Sequence, residues 1–309
     1  MNRSLFDFKP SEWLPVQDKA VLEYCRNIKR EEMEITNENG YSIKVVPHPS
    51  SAITLELFDR IYRSDVEDKK TVIVFPNSWK TIYTAVAEMC NSFNVSARNI
   101  HCFCMDEYAD EDGNVAPITW FRSLGGHFLN EFYLKFREDL RPPLSQIHYY
   151  TNENISSYSD MIEETGDGGA DLILSATGWV GHTAFIDPNT KKFKADNLED
   201  FLKIKAGFVD NHRLTVIQNS GGGAGLWHTP RYSVSIGPYD VINARDHLER
   251  HDLGNVGGYS SWERMISRLQ LYGPVCMEVP ASIYQLTKGT IYVSEDMARP
   301  ILPMDLIAF

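Results

Sequence analysis

Positive charge and long apolar runs are both scarce in this sequence of 309 residues. It contains 30 lysines and arginines against 42 aspartates and glutamates, which gives a formal net charge of -12. Because nucleic acids and anionic membranes attract proteins through basic surfaces, this balance argues against either as the main partner. The opening stretch MNRSLFDFKPSEWL contains no apolar run of the length that a signal peptide or a membrane span requires. A small anionic ligand remains compatible with the charge, since a local pocket can be positive inside an acidic protein.

Cysteine is also rare, with five residues: Cys25, Cys90, Cys102, Cys104 and Cys276. An odd number of cysteines, spread through mostly apolar segments, predicts free thiols in a reducing cytoplasm. Cys102 and Cys104 are two residues apart, so a strand would point both thiols to the same side. The sequence offers no second pair to complete a metal site there, which favours buried structural thiols.

Apolar segments of strand length alternate with segments of helical periodicity. This pattern predicts a doubly wound, mostly parallel Rossmann-like α/β sheet covered by helices on both faces. We predict strands at 42–46, 71–75, 100–105, 171–176, 213–218, 232–236 and 290–293. Helices are predicted at about 52–64, 79–93, 119–136, 155–165 and 260–271. Residues 1–40, with a helix around 17–34, form an N-terminal helical extension, and 41–309 form a single domain.

The segment "HCFCMDEYADEDG" places Asp106 and Glu107 directly after an apolar strand. Ligands of doubly wound folds bind where strands end at their carboxyl edges. A carboxylate at such an edge is well placed to take a proton from a carbon beside a carbonyl. The alternative is that these acids cap a helix or loop, and the residues alone leave both interpretations open.

A second strand end, in "LILSATGWVGHTAFIDP", carries His182 and, five residues later, Asp187. A single histidine in a loop is often a structural residue. Here glycines stand on both sides of it and a carboxylate is within reach. A histidine oriented by an acid is a common pair for moving a proton to a sugar ring oxygen.

The motifs MDEY and GxxGHxAFxDP, in this order, resemble those of the glucosamine-6-phosphate deaminase/isomerase family, which is related to the 6-phosphogluconolactonases. The similarity extends from about residue 43 to residue 297 and includes "KTIYTAVAEM", "TPRYSVSIGPYDVINA" and "WERMISRLQLY". The resemblance implies a sugar or sugar phosphate as the small-molecule partner, and neither a redox cofactor nor a catalytic metal. It also implies that the protein can form a homo-oligomer.

The same resemblance implies roles for the site residues. Asp106 would be the general base that moves a proton between C1 and C2 of the open-chain sugar. His182 would assist ring opening at O5, and Asp187, where the family usually has glutamate, would orient His182. The expected substrate-binding residues are Asn77, Ser78, Lys80, Glu107, Gly178 and Gly181.

Two departures from the family pattern bear on the reaction. Val180 stands where the family has an aspartate that belongs to the ring-opening machinery, which places efficient deamination in question. The phosphate-binding turn of the family is glycine-rich, whereas this chain has Pro76-Asn77-Ser78, in which proline removes an amide donor. Replacement charge would have to come from other basic residues, for which the sequence offers Lys80, Arg122, Arg213 and Arg231.

The leading hypothesis is therefore a sugar-phosphate aldose–ketose isomerase or deaminase acting on a hexosamine 6-phosphate or a related sugar. A 6-phosphogluconolactonase-like hydrolase and a catalytically weak relative that binds a sugar as a regulatory module are the alternatives. The glycine stretch from Ser220 to Gly225 lacks the spacing of a nucleotide-binding loop. It fits a flexible loop over the cleft better.

Overall fold

A seven-stranded parallel sheet forms the centre of the molecule. The computed structural model describes residues 11–76, 79–253 and 260–301. The strands are β1 Tyr41–Val46, β2 Thr71–Phe75, β3 Ile100–Cys104, β4 Asp106–Ala109, β5 Ile147–His148, β6 Leu172–Ala176, β7 Gly207–Asp210, β8 Tyr232–Ser235, β9 His247–His251 and β10 Gly289–Ser294. The main sheet has the order β1-β10-β9-β6-β2-β3-β5, and all its neighbouring pairs are parallel. The predicted α/β class is confirmed.

Helices cover both faces of this sheet. They are α1 Lys19–Asn27, α2 Pro49–Val66, α3 Lys80–Phe93, α4 Leu124–Glu131, α5 Tyr158–Thr165, α6 Leu198–Phe201, α7 Arg213–Asn219, α8 Pro238–Ile242, α9 Ser260–Tyr272 and α10 Glu295–Ala298. Alternate residues of β2 enter different cores, Val72 and Val74 on one face and Ile73 and Phe75 on the other. A strand buried on both faces must be apolar throughout, which explains the continuous run in the sequence. None of the helices in the described ranges is long and apolar enough to cross a membrane.

The chain leaves the main sheet at Met105. The Met105 amide still donates to the carbonyl of Phe75 at the end of β2, while its own carbonyl accepts from Ile236 just beyond β8. From Asp106 onward the chain runs in a second, antiparallel sheet of order β4-β8-β7. Asp106 therefore lies at the junction of the two sheets, directly beyond the carboxyl edge of β3.

One predicted strand is wrong, because residues 213–218 form the helix α7. The β-branched residues in "RLTVIQN" favour a strand by propensity, but tertiary contacts override it. Nδ1 of His212 accepts the Leu214 amide at 3.2 Å and so caps the first turn. The helix points the buried side chain of Thr215 inward, beside the loop that follows β6. Helix α4 is also shorter than the 119–136 prediction.

The N-terminal segment packs against α9. Cys25 of α1 lies in a small apolar cluster with Ile266 and Leu269 of that helix. The hydroxyl of Tyr272 donates to the carbonyl of Met33 at 2.6 Å, and Arg30 pairs with Glu295 at 3.0 Å. The helix predicted around 17–34 is observed as α1 followed by a 3-10 turn at Arg30–Glu32.

Candidate functional site

The carboxyl ends of β9, β6, β2 and β3 surround a pocket of about 230 Å³. This is the edge at which an open α/β sheet binds its ligands. The pocket is lined by Pro76, Trp79, Met105, Asp106, Tyr108, Leu124, Ala176, Thr177, His182, Ala184, Phe185, Gln218, Asn219 and Arg250. Two of the three predicted catalytic side chains, Asp106 and His182, thus line one cavity.

Asp106 is the first residue of β4, where it pairs with Ser235 of β8. Its side chain is buried except where it meets the pocket, with 7% of the residue exposed. The bonds of Met105 fix the backbone just before Asp106, and the pairing of β4 with β8 fixes it from Asp106 onward, so the carboxylate is held on a rigid element. Rigid placement of an acid–base group is a requirement for efficient proton transfer.

His182 is held by the side chains of two buried residues. Its Nδ1 atom lies 2.7 Å from Oδ1 of Asp187 and 2.9 Å from Oγ1 of Thr215. The Thr215 hydroxyl itself donates to the same Asp187 oxygen at 2.7 Å. An ionised carboxylate only accepts hydrogen bonds, so Nδ1 carries the ring proton. Nε2 is then left as the acceptor.

The second oxygen of Asp187 is also occupied. The amide of His212 donates to Oδ2 at 2.8 Å, and the Asp187 side chain has no exposure to solvent. Three donors therefore hold this carboxylate in one orientation: the His182 ring, the Thr215 hydroxyl and the His212 amide. Thr215 was missed because residues 213–218 were predicted as a strand, and His212 contributes a backbone amide, which no side-chain pattern indicates.

Gly178 and Gly181 shape the loop around the imidazole. A Cβ atom on Gly178 would lie 2.0 Å from Nε2 of His182, so only glycine lets the ring occupy its position. Gly181 has φ +71°, a left-handed conformation that favours glycine, and a Cβ there would also meet Val279 at 2.6 Å. Gly178 lies beside the ring and Gly181 beside Val279, and neither glycine is among the residues that line the pocket.

Val180 is fully buried one residue before Gly181. The loop around it is tied to two helices, because the Trp179 amide donates to Gln218 of α7 and the Trp262 indole of α9 donates to the Trp179 carbonyl. A valine contributes neither an acceptor nor a proton at this position. The imidazole of His182 is hydrogen-bonded instead to Asp187 and Thr215.

Glu107 has a different role from the expected contact with substrate. Its carboxylate accepts the amides of Tyr108, Leu124 and Gly125 at 2.8–2.9 Å and the hydroxyl of Ser123 at 2.7 Å. Burial raises the pKa of the Glu107 carboxyl, and these four hydrogen bonds act in the opposite direction. Glu107 therefore caps the N-terminus of α4 and does not line the pocket. Capping also explains why α4 begins at Leu124.

Lys80, expected among the substrate-binding residues, is the first residue of α3 and is exposed outside the pocket lining. Asn77 and Ser78 lie outside the described residues. Of the other basic residues, Arg231 pairs with Asp210 at 2.7 Å, and Arg213 lies over the ring of Trp13. These two arginines are therefore engaged elsewhere.

Arg250 supplies positive charge to the pocket and was missed from the sequence. It lies near the end of β9 with its guanidinium 5.0 Å from the ring centre of Trp79. One of its terminal nitrogens donates to Ser50 at 3.2 Å, and its Nε lies 3.7 Å from Asp252. Nε is buried and makes no hydrogen bond within the described part of the chain. A half-buried guanidinium with donors to spare is suited to an anionic group.

A second cavity of about 340 Å³ adjoins the pocket through Tyr108, Leu124, Gln218 and Asn219. It contains Arg122, which donates to Thr229 and to the Asn219 carbonyl at 2.9 and 2.8 Å. The glycines that follow α7 do not cradle phosphate, because their amides donate to Ile217, to Gln218 and to the Ser220 hydroxyl. Across the described ranges, no three His, Cys, Asp or Glu side chains are grouped as a metal ion requires.

Several solved structures are similar to this chain. A monomeric glucosamine-6-phosphate deaminase matches with a TM-score of 0.65 at 16% identity, covering 83% of this chain and 98% of its own. The 6-phosphogluconolactonase of Trypanosoma cruzi matches with a TM-score of 0.60 at 13% identity, covering 86% and 97%. That of Thermotoga maritima has a TM-score of 0.55 at 16% identity, covering 82% and 99%.

No protein-family profile and no curated protein sequence matches the chain with significance. The structural similarity nevertheless spans more than four fifths of the chain and almost the whole of each matched protein. The chain therefore has the α/β fold that glucosamine-6-phosphate deaminase shares with the 6-phosphogluconolactonases.

Proposed function

We propose that this protein is a sugar-phosphate aldose–ketose isomerase that acts on a hexosamine 6-phosphate or a related sugar. The observation that carries the proposal is the presence of Asp106 and the oriented His182 at one pocket. Ring opening and enolisation need two separate acid–base groups, and this pocket holds both. The similar fold of a glucosamine-6-phosphate deaminase adds support.

Ring opening is the step assigned to His182. With its Nδ1 proton held by Asp187, neutral imidazole takes the proton of the sugar O1 hydroxyl at Nε2. The resulting imidazolium returns a proton to O5 as the C1–O5 bond breaks, which gives the open-chain aldehyde. Asp187 stabilises the intermediate positive charge without itself taking the proton, as in other acid–histidine pairs.

Enolisation is the step assigned to Asp106. Its carboxylate takes the proton from C2 of the open-chain sugar and delivers it to C1, through an enediol or an enolamine. Over the two transfers O1 gains a proton, and the hydroxyl or amine on C2 loses one. The product of a simple aldose is a ketose. Where C2 carries an amine, the product is an imine at C2, which water hydrolyses to a ketone and ammonia.

Arg250 is the residue we assign to the phosphate of the substrate. Pro76 has no amide hydrogen, so this turn lacks a backbone donor that a glycine-rich turn would offer to phosphate. The positive charge of Arg250 replaces part of that interaction. The half-buried side chain of Arg250 lines the pocket, with its guanidinium over the ring of Trp79. Bidentate recognition of a phosphate by arginine compensates for the loss of backbone donors.

Lactone hydrolysis is a second candidate, which the geometry of the His182–Asp187 pair favours. A histidine oriented by a buried carboxylate can activate water for attack on a lactone carbonyl without any second base. Asp106 would then have no proton to move. The two candidates therefore differ in the effect of replacing Asp106.

A panel of hexose and hexosamine 6-phosphates, together with 6-phosphogluconolactone, tests the proposal by NMR in D2O. We expect conversion of an aldose phosphate to a ketose phosphate, with ammonia released from amino sugars. Asp106→Asn should abolish turnover, while Asp112→Asn, at an exposed position outside the pocket, should not. Lactone hydrolysis that survives Asp106→Asn would favour the second candidate. Sugar-phosphate binding without any turnover would favour a regulatory sugar-binding protein instead.

A further inference from the structure

An aromatic groove of about 580 Å³ lies next to the catalytic pocket. Tyr108 lines both spaces, so the groove and the pocket are neighbours. The other aromatic side chains that line it are Trp120, Phe121, Trp227, His228 and Tyr232. These residues come from two segments, one that follows β4 and one that leads into β8, of which Tyr232 is the first residue.

The rings of the aromatic groove form a connected series. Tyr108 contacts Trp120 edge to face with 5.9 Å between ring centres, and Trp120 contacts Phe121 at 5.3 Å. His228 lies 5.6 Å from Phe121 and 4.0 Å from Trp227. Phe121 is nevertheless 65% exposed and Trp227 is 85% exposed. Large exposed rings that cluster around one groove indicate a binding site, whereas single exposed apolar residues are common on any surface.

The charges of the aromatic groove limit what it can bind. Asp110 and Glu111 are among its lining residues, and the guanidinium of Arg231 is bound to both carboxylate oxygens of Asp210 at 2.7 Å. An excess of acidic groups disfavours a phosphate, a nucleotide or another anion in this space. The combination of flat apolar rings and acidic acceptors suits a neutral molecule that has apolar faces and hydroxyl groups at its edge.

We infer that the aromatic groove is a subsite for a second, neutral sugar ring linked to the reacting sugar. The C–H faces of a pyranose stack on exposed aromatic rings, and its hydroxyls donate to carboxylates such as Glu111. The inference rests on the proposed function, because it places the reacting sugar in the adjoining pocket. Ring opening requires a free anomeric carbon, so the second ring is joined to a hydroxyl other than that on C1. The substrate class is then a reducing disaccharide or longer saccharide, with its reducing-end unit in the pocket.

Calorimetric titration with neutral probes tests this inference without any turnover. The probes are cellobiose, maltose and N,N′-diacetylchitobiose, each compared with its own monosaccharide. We expect at least one disaccharide to bind ten-fold or more tightly than its monosaccharide. Trp227→Ala and Phe121→Ala should each remove that advantage. Phe93→Ala should keep it, because Phe93 is 69% exposed on α3, away from the groove.

Equal affinity for disaccharides and monosaccharides would overturn the inference, as would an advantage that survives both groove variants. The inference would also be overturned if the wild-type protein self-associates and Trp227→Ala has the mass of a monomer. The groove would then be a contact between copies of the chain. These results are separable from the reaction itself. Isomerisation of monosaccharide phosphates without a disaccharide advantage leaves the proposed function in place and removes the subsite. Tighter binding of disaccharides that depends on the groove, without any isomerisation, leaves the subsite in place and removes the proposed function.

Discussion

Nδ1 of His182 lies 2.7 Å from Oδ1 of Asp187, a carboxylate that is completely shielded from solvent. The two residues are only five positions apart, and the turn between them places both side chains in contact with α7. The bond fixes the ring tautomer and directs Nε2 away from the carboxylate. In the proposed mechanism, catalysis by His182 therefore depends on a buried residue that never reaches the substrate.

Asp187→Asn should reduce kcat/KM of the proposed reaction by about 10²–10⁴-fold. An amide donates as well as accepts, so it can stabilise the tautomer that places the proton on Nε2. Steady-state kinetics together with ¹⁵N NMR of the imidazole measure both effects. Wild-type rates with an unchanged tautomer would show that Asp187 is structural only.

Thr215→Val should lower kcat by about 5-fold, the effect of losing one hydrogen bond of about 1 kcal/mol, and leave KM unchanged. Valine has the shape of threonine but cannot donate to Asp187, so the carboxylate loses one of its three donors. Thr215→Ser retains the hydroxyl and should restore most of the rate. If serine and valine behave alike, the hydroxyl has no part in orienting the pair.

Val180→Asp should destabilise the protein by about 3–5 kcal/mol rather than raise its activity, because a carboxylate without a partner would be buried there. Urea unfolding monitored by circular dichroism measures this. Val180→Ala is the control. It should lower the free energy of unfolding by about 2 kcal/mol, because it leaves only a small cavity. A stable and more active Val180→Asp variant would mean that the loop has room for a second acid.

Glu107→Gln should cost about 1.5–3 kcal/mol of stability and leave the activity per folded molecule within about 3-fold. A glutamine amide would face the Ser123 hydroxyl or the Gly125 amide, which are donors to the native carboxylate. The matched control is Glu88→Gln, at an exposed position of α3, which should be neutral. A stable Glu107→Gln variant with a raised KM would instead support the contact with substrate expected from the sequence.

From the sequence alone, Asp106 and His182, which line one pocket, and most of the sheet could be located. Strands such as Thr71–Phe75 are apolar on both faces, so local composition is enough to predict them. Asp106 and His182 follow such strands. Because the carboxyl ends of parallel strands lie at the same edge of a sheet, the two residues are expected to lie close together. The resemblance of the MDEY and GHxAF motifs pointed to the same residues.

Other parts of the site depend on contacts that no local pattern encodes. The strand His247–His251 is polar, because Glu249 and His251 bond to Gln270 and Ser267 of α9 inside the molecule. It therefore has no apolar signature, and Arg250 was overlooked with it. Thr215 was missed because β-branched residues in α7 favour a strand by propensity. The capping role of Glu107 depends on Ser123–Gly125, which lie 16–18 positions away.

The most direct test of the account is solvent exchange at C2 of the substrate. In D2O the wild-type protein should incorporate deuterium at C2 of a hexose or hexosamine 6-phosphate, observed by proton NMR as loss of the C2 signal. Asp106→Asn should abolish this incorporation, and Thr215→Val should only slow it. Absence of exchange with every sugar phosphate, or exchange that persists in Asp106→Asn, would contradict the assignment of Asp106 as the base.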